Sequence, residues 1–261
     1  MKLEFRGHDD RYAIEQSLLA FFPEERPVYE PITPEDDDCA LVSLTEGKRY
    51  ATGVTTLHYH GKTARGVSRA VLTDAPDEYE RERLRQRALK LSFFKAARDI
   101  TGITPSWGAL TGIRPGKLAR AMLEQGKTER ETDRVLRDTY FVSPERRRLA
   151  IETAQAGLTA KRGLRSNEIS LYVGIPFCPT RCAYCSFVSA SVEKSFGLME
   201  PYLAALEQEI TDAARMVAET GLSIKSFYMG GGTPTTLSAQ QMDHLLTHLN
   251  KSFDLTGCAE Y

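Results

Sequence analysis

Ile169-Ser170-Leu171-Tyr172-Val173-Gly174-Ile175-Pro176-Phe177-Cys178-Pro179-Thr180-Arg181-Cys182-Ala183-Tyr184-Cys185 runs from a strand-like segment straight into a cysteine-rich loop. The apolar run Ile169–Ile175 reads as a strand, and Pro176 ends it. Three cysteines then follow at C-x3-C-x2-C spacing. A zinc site would want a fourth Cys or His at a typical spacing, and none follows nearby. Three soft thiolates suit a [4Fe–4S] cluster, each binding one iron and leaving the fourth open to an outside ligand. A structural zinc site and a plain loop remain the alternatives to this reading. Cys178, Cys182 and Cys185 are the candidate metal ligands; Cys39 and Cys258, remote in sequence, read as buried or incidental thiols.

Downstream the pattern repeats: a long helix over Met199–Thr220, a strand over Ile224–Met229, a helix over Ala239–Phe253 and a strand beginning near Cys258. Strands alternating with helices predict parallel β/α units. Upstream, Arg162-Gly163-Leu164-Arg165-Ser166-Asn167 breaks the periodicity and marks a boundary. Before it, Leu3–Arg6 reads as a strand and Arg11–Phe22 as a helix. Cys39–Leu44, Tyr50–His60 and Thr63–Leu72 read as a three-stranded antiparallel meander. From Asp77 onward the chain reads as helical: Glu78–Ile100 capped by Asp77 and stopped by Gly102, then Pro115–Gln125, Glu129–Thr139 and Pro144–Lys161. The expected fold class is therefore α/β. An N-terminal α+β domain over 1–166, with antiparallel strands and then helices, precedes the first β/α units of a partial barrel over 167–261. That second part stops inside a strand and is expected to be incomplete.

The cysteine spacing, with Tyr184 just before the last cysteine, resembles the signature of the radical S-adenosylmethionine (SAM) enzymes. Met229-Gly230-Gly231-Gly232-Thr233-Pro234, at the end of the next strand, is similar to their glycine-rich motif. Glycines there let backbone approach a ligand closely, with free N–H and C=O groups to bond the SAM amino-acid moiety. Leu171–Cys178 and Gly-Gly-Gly-Thr-Pro-Thr look like the oxygen-independent coproporphyrinogen III dehydrogenase family. Leu110-Thr111-Gly112-Ile113-Arg114-Pro115-Gly116-Lys117 is similar to its HemZ-like branch. The resemblance implies a [4Fe–4S] cluster on the three cysteines, with SAM on the fourth iron. Cleavage of SAM would then give a radical that takes hydrogen from substrate. It further implies SAM contacts from Tyr172, Tyr184, Gly231, Gly232 and Thr233, a porphyrinogen substrate, and a cytosolic electron donor. The reaction implied is oxidative decarboxylation of coproporphyrinogen III to protoporphyrinogen IX. Gly174 stands where such enzymes carry histidine, and Phe187 where they carry a fourth cysteine. Relatives lacking that cysteine include haem chaperones, so a haem carrier is the first alternative. A SAM-contacting glutamate is expected beyond Glu260.

The 261 residues have an ordinary globular composition, 41% hydrophobic and 26% charged, which excludes a fibrous or largely disordered chain. No apolar run is long enough for a membrane span, and the start has no signal-peptide h-region, so a cytoplasmic location is expected. Net charge is −6 over 1–60, +10 over 61–166 and −5 over 167–261. The basic block reads mainly as solvated helix faces such as Glu80-Arg81-Glu82-Arg83-Leu84-Arg85. A nucleic-acid partner is accordingly not expected, and a radical SAM enzyme acting on RNA is the second alternative. Residues 112–117 have the wrong spacing for a phosphate loop. Arg114 and Lys117 remain candidates to pair with a substrate carboxylate. His58 and His60 read as exposed residues beside a hairpin turn, Asp36–Asp38 as a solvated loop, and Phe93, Phe94 and Trp107 as core.

Overall fold

In the computed structural model, residues 1–73, 75–111 and 114–261 are described, and they form two compact units, Met1–Ala160 and Lys161–Tyr261. Gly112 and Ile113, in the segment similar to the HemZ-like branch, lie outside the described residues.

The first unit is built on β1 (Lys2–Arg6), α1 (Arg11–Phe21), β2 (Cys39–Glu46), β3 (Tyr50–Tyr59), β4 (Lys62–Val71) and α2 (Glu78–Thr101). The sheet order is β1-β2-β3-β4. The meander is antiparallel as expected, and β1 extends it by pairing parallel to β2, Leu3 opposite Ala40. The strand read through His60 stops at Tyr59. His60 and Gly61 form the turn with φ of 47° and 71°, the left-handed pair that matches the twist of a two-residue hairpin.

Small residues explain how α2 packs on this sheet. The inward face of β3 carries Ala51, Gly53, Thr55 and Leu57, and that of β4 carries Gly66, Ser68 and Ala70. Ala88, Ser92 and Ala96, four residues apart on α2, face them, so backbone approaches backbone. The buried hydroxyls of Thr55 and Ser92 bond each other at 2.8 Å. Ile14, Leu18, Leu57, Leu89 and Phe93 are fully buried around this contact, each stabilising the fold by about 1.5–3 kcal/mol. A Cβ on Gly66 would lie 1.9 Å from the Ser92 carbonyl oxygen, whereas one on Gly47 would meet nothing nearer than 3.9 Å. Gly66→Ala is therefore expected to lower unfolding free energy by about 3 kcal/mol, read from the urea midpoint. Gly47→Ala should move it by under about 0.5 kcal/mol; equal effects would mean that close helix–sheet contact is not what holds this unit.

The helix signals work as read. Asp77 accepts a 2.7 Å bond from the Glu80 amide at the start of α2, and Gly102 ends it with φ of 70°. Then come α3 (Gly116–Glu124), α4 (Glu129–Asp138) and α5 (Pro144–Arg162), around a core of Ala119, Met122, Leu136, Val142 and Ile151. Thr128 and Glu131 make a capping box at α4.

The second unit contains β5 (Glu168–Ile175), β6 (Phe177–Cys178), β7 (Ala190–Ser191), α6 (Val192–Ser195), α7 (Met199–Thr220), β8 (Ser223–Gly231) and α8 (Ala239–Ser252). β5 and β8 pair in parallel, Gly174 opposite Gly230. Met199, Leu203, Leu206 and Ile210 recur at helical spacing on α7 and are buried, together with Val173, Ile175, Phe227, Leu245 and Leu249. The strand expected near Cys258 appears as one parallel bridge, Ser226 to Glu260, with the Phe227 amide donating to Glu260 at 2.9 Å.

Candidate active site

One face of the β5–β8 pair is buried and the other is open. Alternation places Ser170, Tyr172 and Gly174 of β5 beside Ser226, Tyr228 and Gly230 of β8 on the open face. The two serine hydroxyls bond at 2.7 Å, and the rings of Tyr172 and Tyr228 stack with centroids 5.9 Å apart. Both rings are more than half exposed, at 58% and 65%. Tyr228 escaped the sequence reading, although the two-residue period of its strand put it on the face of Tyr172.

The cysteine loop is an excursion closed at its base. Phe177 and Cys178 pair in parallel with Ala190 and Ser191, and the Ala190 amide donates to Pro176 at 2.7 Å. Within the loop, the Cys185 amide donates to the Cys182 carbonyl at 3.0 Å, closing a four-residue turn. This is the physical sense of the C-x2-C spacing: one turn carries both thiols. Cys182 is exposed, Cys178 and Cys185 half-buried. Tyr184 lies on the same turn, 90% exposed, and the adjacent Cys182 thiol pushes its hydroxyl pKa up.

The glycine-rich turn is fastened to the first cysteine. The Gly232 amide donates to Ile175 at 2.7 Å and the Thr233 amide to Phe177 at 2.8 Å. The Thr233 hydroxyl lies 3.5 Å from the Cys178 sulfur. Gly231 has φ of +100°, and a Cβ on it would meet the Ile175 backbone at 3.0 Å. A Cβ on Gly232 would come within 2.6 Å of the Phe177 carbonyl and 2.9 Å of the Cys178 sulfur. Two expectations change here. The Gly232 and Thr233 amides are taken by the strand, so the turn can present carbonyl oxygens to a ligand but not those two N–H groups. The loop start is also a short strand. Behind the open face, the Tyr202 hydroxyl donates to the Gly174 carbonyl and is pushed up in pKa by burial.

The donor set fits an iron–sulfur cluster by its chemistry: three thiols lie within one loop, with a glycine turn tight against the first. No group of three potential metal ligands is gathered closely enough to hold an ion among the described residues. The structure thus unites Cys182 with Cys185, and Cys178 with Thr233 and Gly232, as two halves of the site. His58 and His60 are elsewhere, in the first unit, where His58 bonds Thr63 at 2.9 Å. No helix among the described residues is long and apolar enough to cross a membrane.

No family profile matches the chain. Over 183 residues it is 34% identical to the oxygen-independent coproporphyrinogen-III oxidase-like protein HemZ of Bacillus subtilis, covering 69% of this chain and 36% of that protein. It is 37% identical over 106 residues to the oxygen-independent coproporphyrinogen III oxidase of Escherichia coli, 41% of this chain and 22% of that one. It is 39% identical over 83 residues to the haem chaperone HemW of B. subtilis, 31% of this chain and 21% of that one. The chain therefore spans roughly a third or less of the length of these relatives. Among solved structures, coproporphyrinogen III oxidase (HemN) from E. coli, described as a radical SAM enzyme, matches at 34% identity with a TM-score of 0.33, over 41% of this chain and 24% of that one. By these sequence relationships, the chain is similar to oxygen-independent coproporphyrinogen III oxidase-like proteins, with HemZ matched over the longest stretch of the three, and also to haem chaperones.

Proposed function

We propose that this chain supplies the cluster-binding and part of the SAM-binding machinery of an oxidoreductase that converts coproporphyrinogen III to protoporphyrinogen IX without oxygen. The observation that carries this reading is the attachment of the Gly232–Thr233 turn to Ile175 and Phe177, which sets the glycine motif 3.5 Å from the first cysteine at Thr233. That contact brings the first cysteine and the glycine motif, remote in sequence, side by side.

A [4Fe–4S] cluster with SAM on its open iron supplies one-electron reductive cleavage of the sulfonium. Cys178, Cys182 and Cys185 would hold the cluster, one thiolate to each of three irons. Three ligands rather than four would leave the remaining iron for SAM. The carbonyls of the Gly231–Gly232 turn would accept the ammonium of the SAM methionyl group, since the Gly232 and Thr233 amides are already bonded. The stacked Tyr172 and Tyr228 offer a flat, apolar surface with hydroxyl edges, suited to a planar ring. Tyr184, on the cysteine turn, would cover the cluster from water. Electrons would come from a cytosolic donor.

The second reading is a haem chaperone, favoured by Phe187, 64% exposed where the oxidases carry a fourth cysteine, and by the HemW relatives. Anaerobic incubation of the protein with coproporphyrinogen III, SAM and a one-electron reductant separates the two. Divinyl product with methionine release is the expected result. SAM cleavage with retained haem and no vinyl product would establish the chaperone reading instead.

A further inference from the structure

The first unit contains a cleft that the proposed site does not use. It lies against α2 and α3, encloses about 460 Å³, and continues into a second hollow of about 230 Å³ around Arg114 and Lys117. Those volumes lie in the range of small-molecule sites. The floor is apolar, with Leu91, Leu110, Leu118 and Met122, and the walls are cationic, with Arg83, Arg87, Lys90 and Lys127. The single carboxylate in the walls, Glu80, is already held by Arg83 at 2.7 Å. Arg87, Lys90, Arg114, Lys117 and Lys127 have no ion-pair partner among the described residues.

Two further features point to an absent anion. Lys90 is half-buried, and this burial pushes its pKa down; the charge that opposes the shift is Asp10, which bonds Gln86 one turn away on α2. The Thr111 hydroxyl is buried without a hydrogen-bond partner among the described residues. A half-desolvated ammonium and an unused hydroxyl are costly unless something bonds them. The sequence alone favoured solvated helix faces for the basic block. The cations of α2 and of the segment entering α3 are partly or fully exposed, as that reading has them, and they also line one hollow.

We propose that this cleft binds a polycarboxylate with a flat apolar body, a tetrapyrrole carrying propionate arms, at a site separate from the cysteine loop. The identity of the ring rests on the reading under Proposed function; the cationic, apolar-floored cleft does not. Arginine pairs carboxylates through two parallel hydrogen bonds, and the Leu–Met floor takes the ring. A delivery or holding site for the substrate, outside the reaction centre, is the role this chemistry fits.

The test is titration of the whole protein with coproporphyrin III, the air-stable tetracarboxylate, followed by the shift of its Soret band. The paired variants Arg87→Gln/Lys90→Gln and Arg114→Gln/Lys117→Gln should each weaken binding by about tenfold or more. Arg65→Gln/Arg69→Gln, on the outer face of β4, should leave it unchanged, as should Cys178→Ala. Circular dichroism of each variant establishes that it is folded. Binding that survives both cleft pairs, or that Cys178→Ala abolishes, overturns the proposal. Equal competition by tripolyphosphate would overturn the tetrapyrrole assignment and leave a phosphate site. Loss of cluster formation with intact porphyrin binding would overturn the enzyme reading and not this one.

Discussion

Replacing any one of Cys178, Cys182 or Cys185 by alanine is expected to abolish the brown absorbance of the anaerobically reconstituted protein, with bound iron falling toward background. In the proposed site each thiolate would hold a different iron, so losing one would open a second corner of the cluster to water and thiol exchange. Cys39→Ala and Cys258→Ala should keep the full absorbance. Cys39 is 1% exposed, and burial pushes its thiol pKa up, which disfavours the thiolate a metal needs. Cys258 is half-buried and its thiol lies 2.9 Å from the Glu260 carbonyl. Loss on Cys39→Ala equal to that on Cys182→Ala would show the ligand set to be wrong.

Gly232→Val should be the most damaging change outside the cysteines. The added Cβ would overlap the Phe177 carbonyl at 2.6 Å, the Cys178 sulfur at 2.9 Å and the Ile175 carbonyl at 3.0 Å. Two of those atoms are backbone of the strand end that presents the first cysteine, so accommodation means moving Cys178. A displacement near 1 Å at a reacting centre can cost about a hundredfold in rate, and that loss is expected in SAM cleavage. Gly230→Ala is the matched comparison. Its Cβ would meet the Tyr172 hydroxyl and a Tyr228 ring carbon, both at 2.8 Å, which are ends of rotatable, exposed side chains. It should retain the cluster and reduce SAM cleavage far less. Equal losses in the two variants would mean that the turn's closeness to Cys178 is not what matters. Thermal unfolding of both separates a site effect from a general one.

Local signals in the sequence carried much of the fold. Asp77 and Gly102 bound α2 as read, and the alternation of apolar strands with amphipathic helices after residue 167 gave the parallel β5–β8 pair. What local reading misses is pairing set by distant chain. β1 joins β2 in parallel across 32 intervening residues, and nothing within Lys2–Arg6 specifies that partner. The small inward residues of β3 and β4 acquire meaning only when Ala88, Ser92 and Ala96 of α2 lie over them. At the candidate site, the cysteines and glycines stand out in the sequence because their spacing is what marks them as candidates. Tyr228 was missed because a lone tyrosine in a strand carries no spacing signal until its face is known. The shared hollow beside Arg87 and Lys90 on one side and Arg114 and Lys117 on the other was not legible, because the two pairs lie far apart in sequence.

Iron and acid-labile sulfide analysis of the anaerobically reconstituted protein, joined to electron paramagnetic resonance of its reduced form before and after adding SAM, tests the central claim most directly. The account predicts about four irons and four sulfides per chain and a spectrum that changes when SAM binds the open iron. Zinc in place of iron, or an iron spectrum that SAM leaves unaltered, would contradict it.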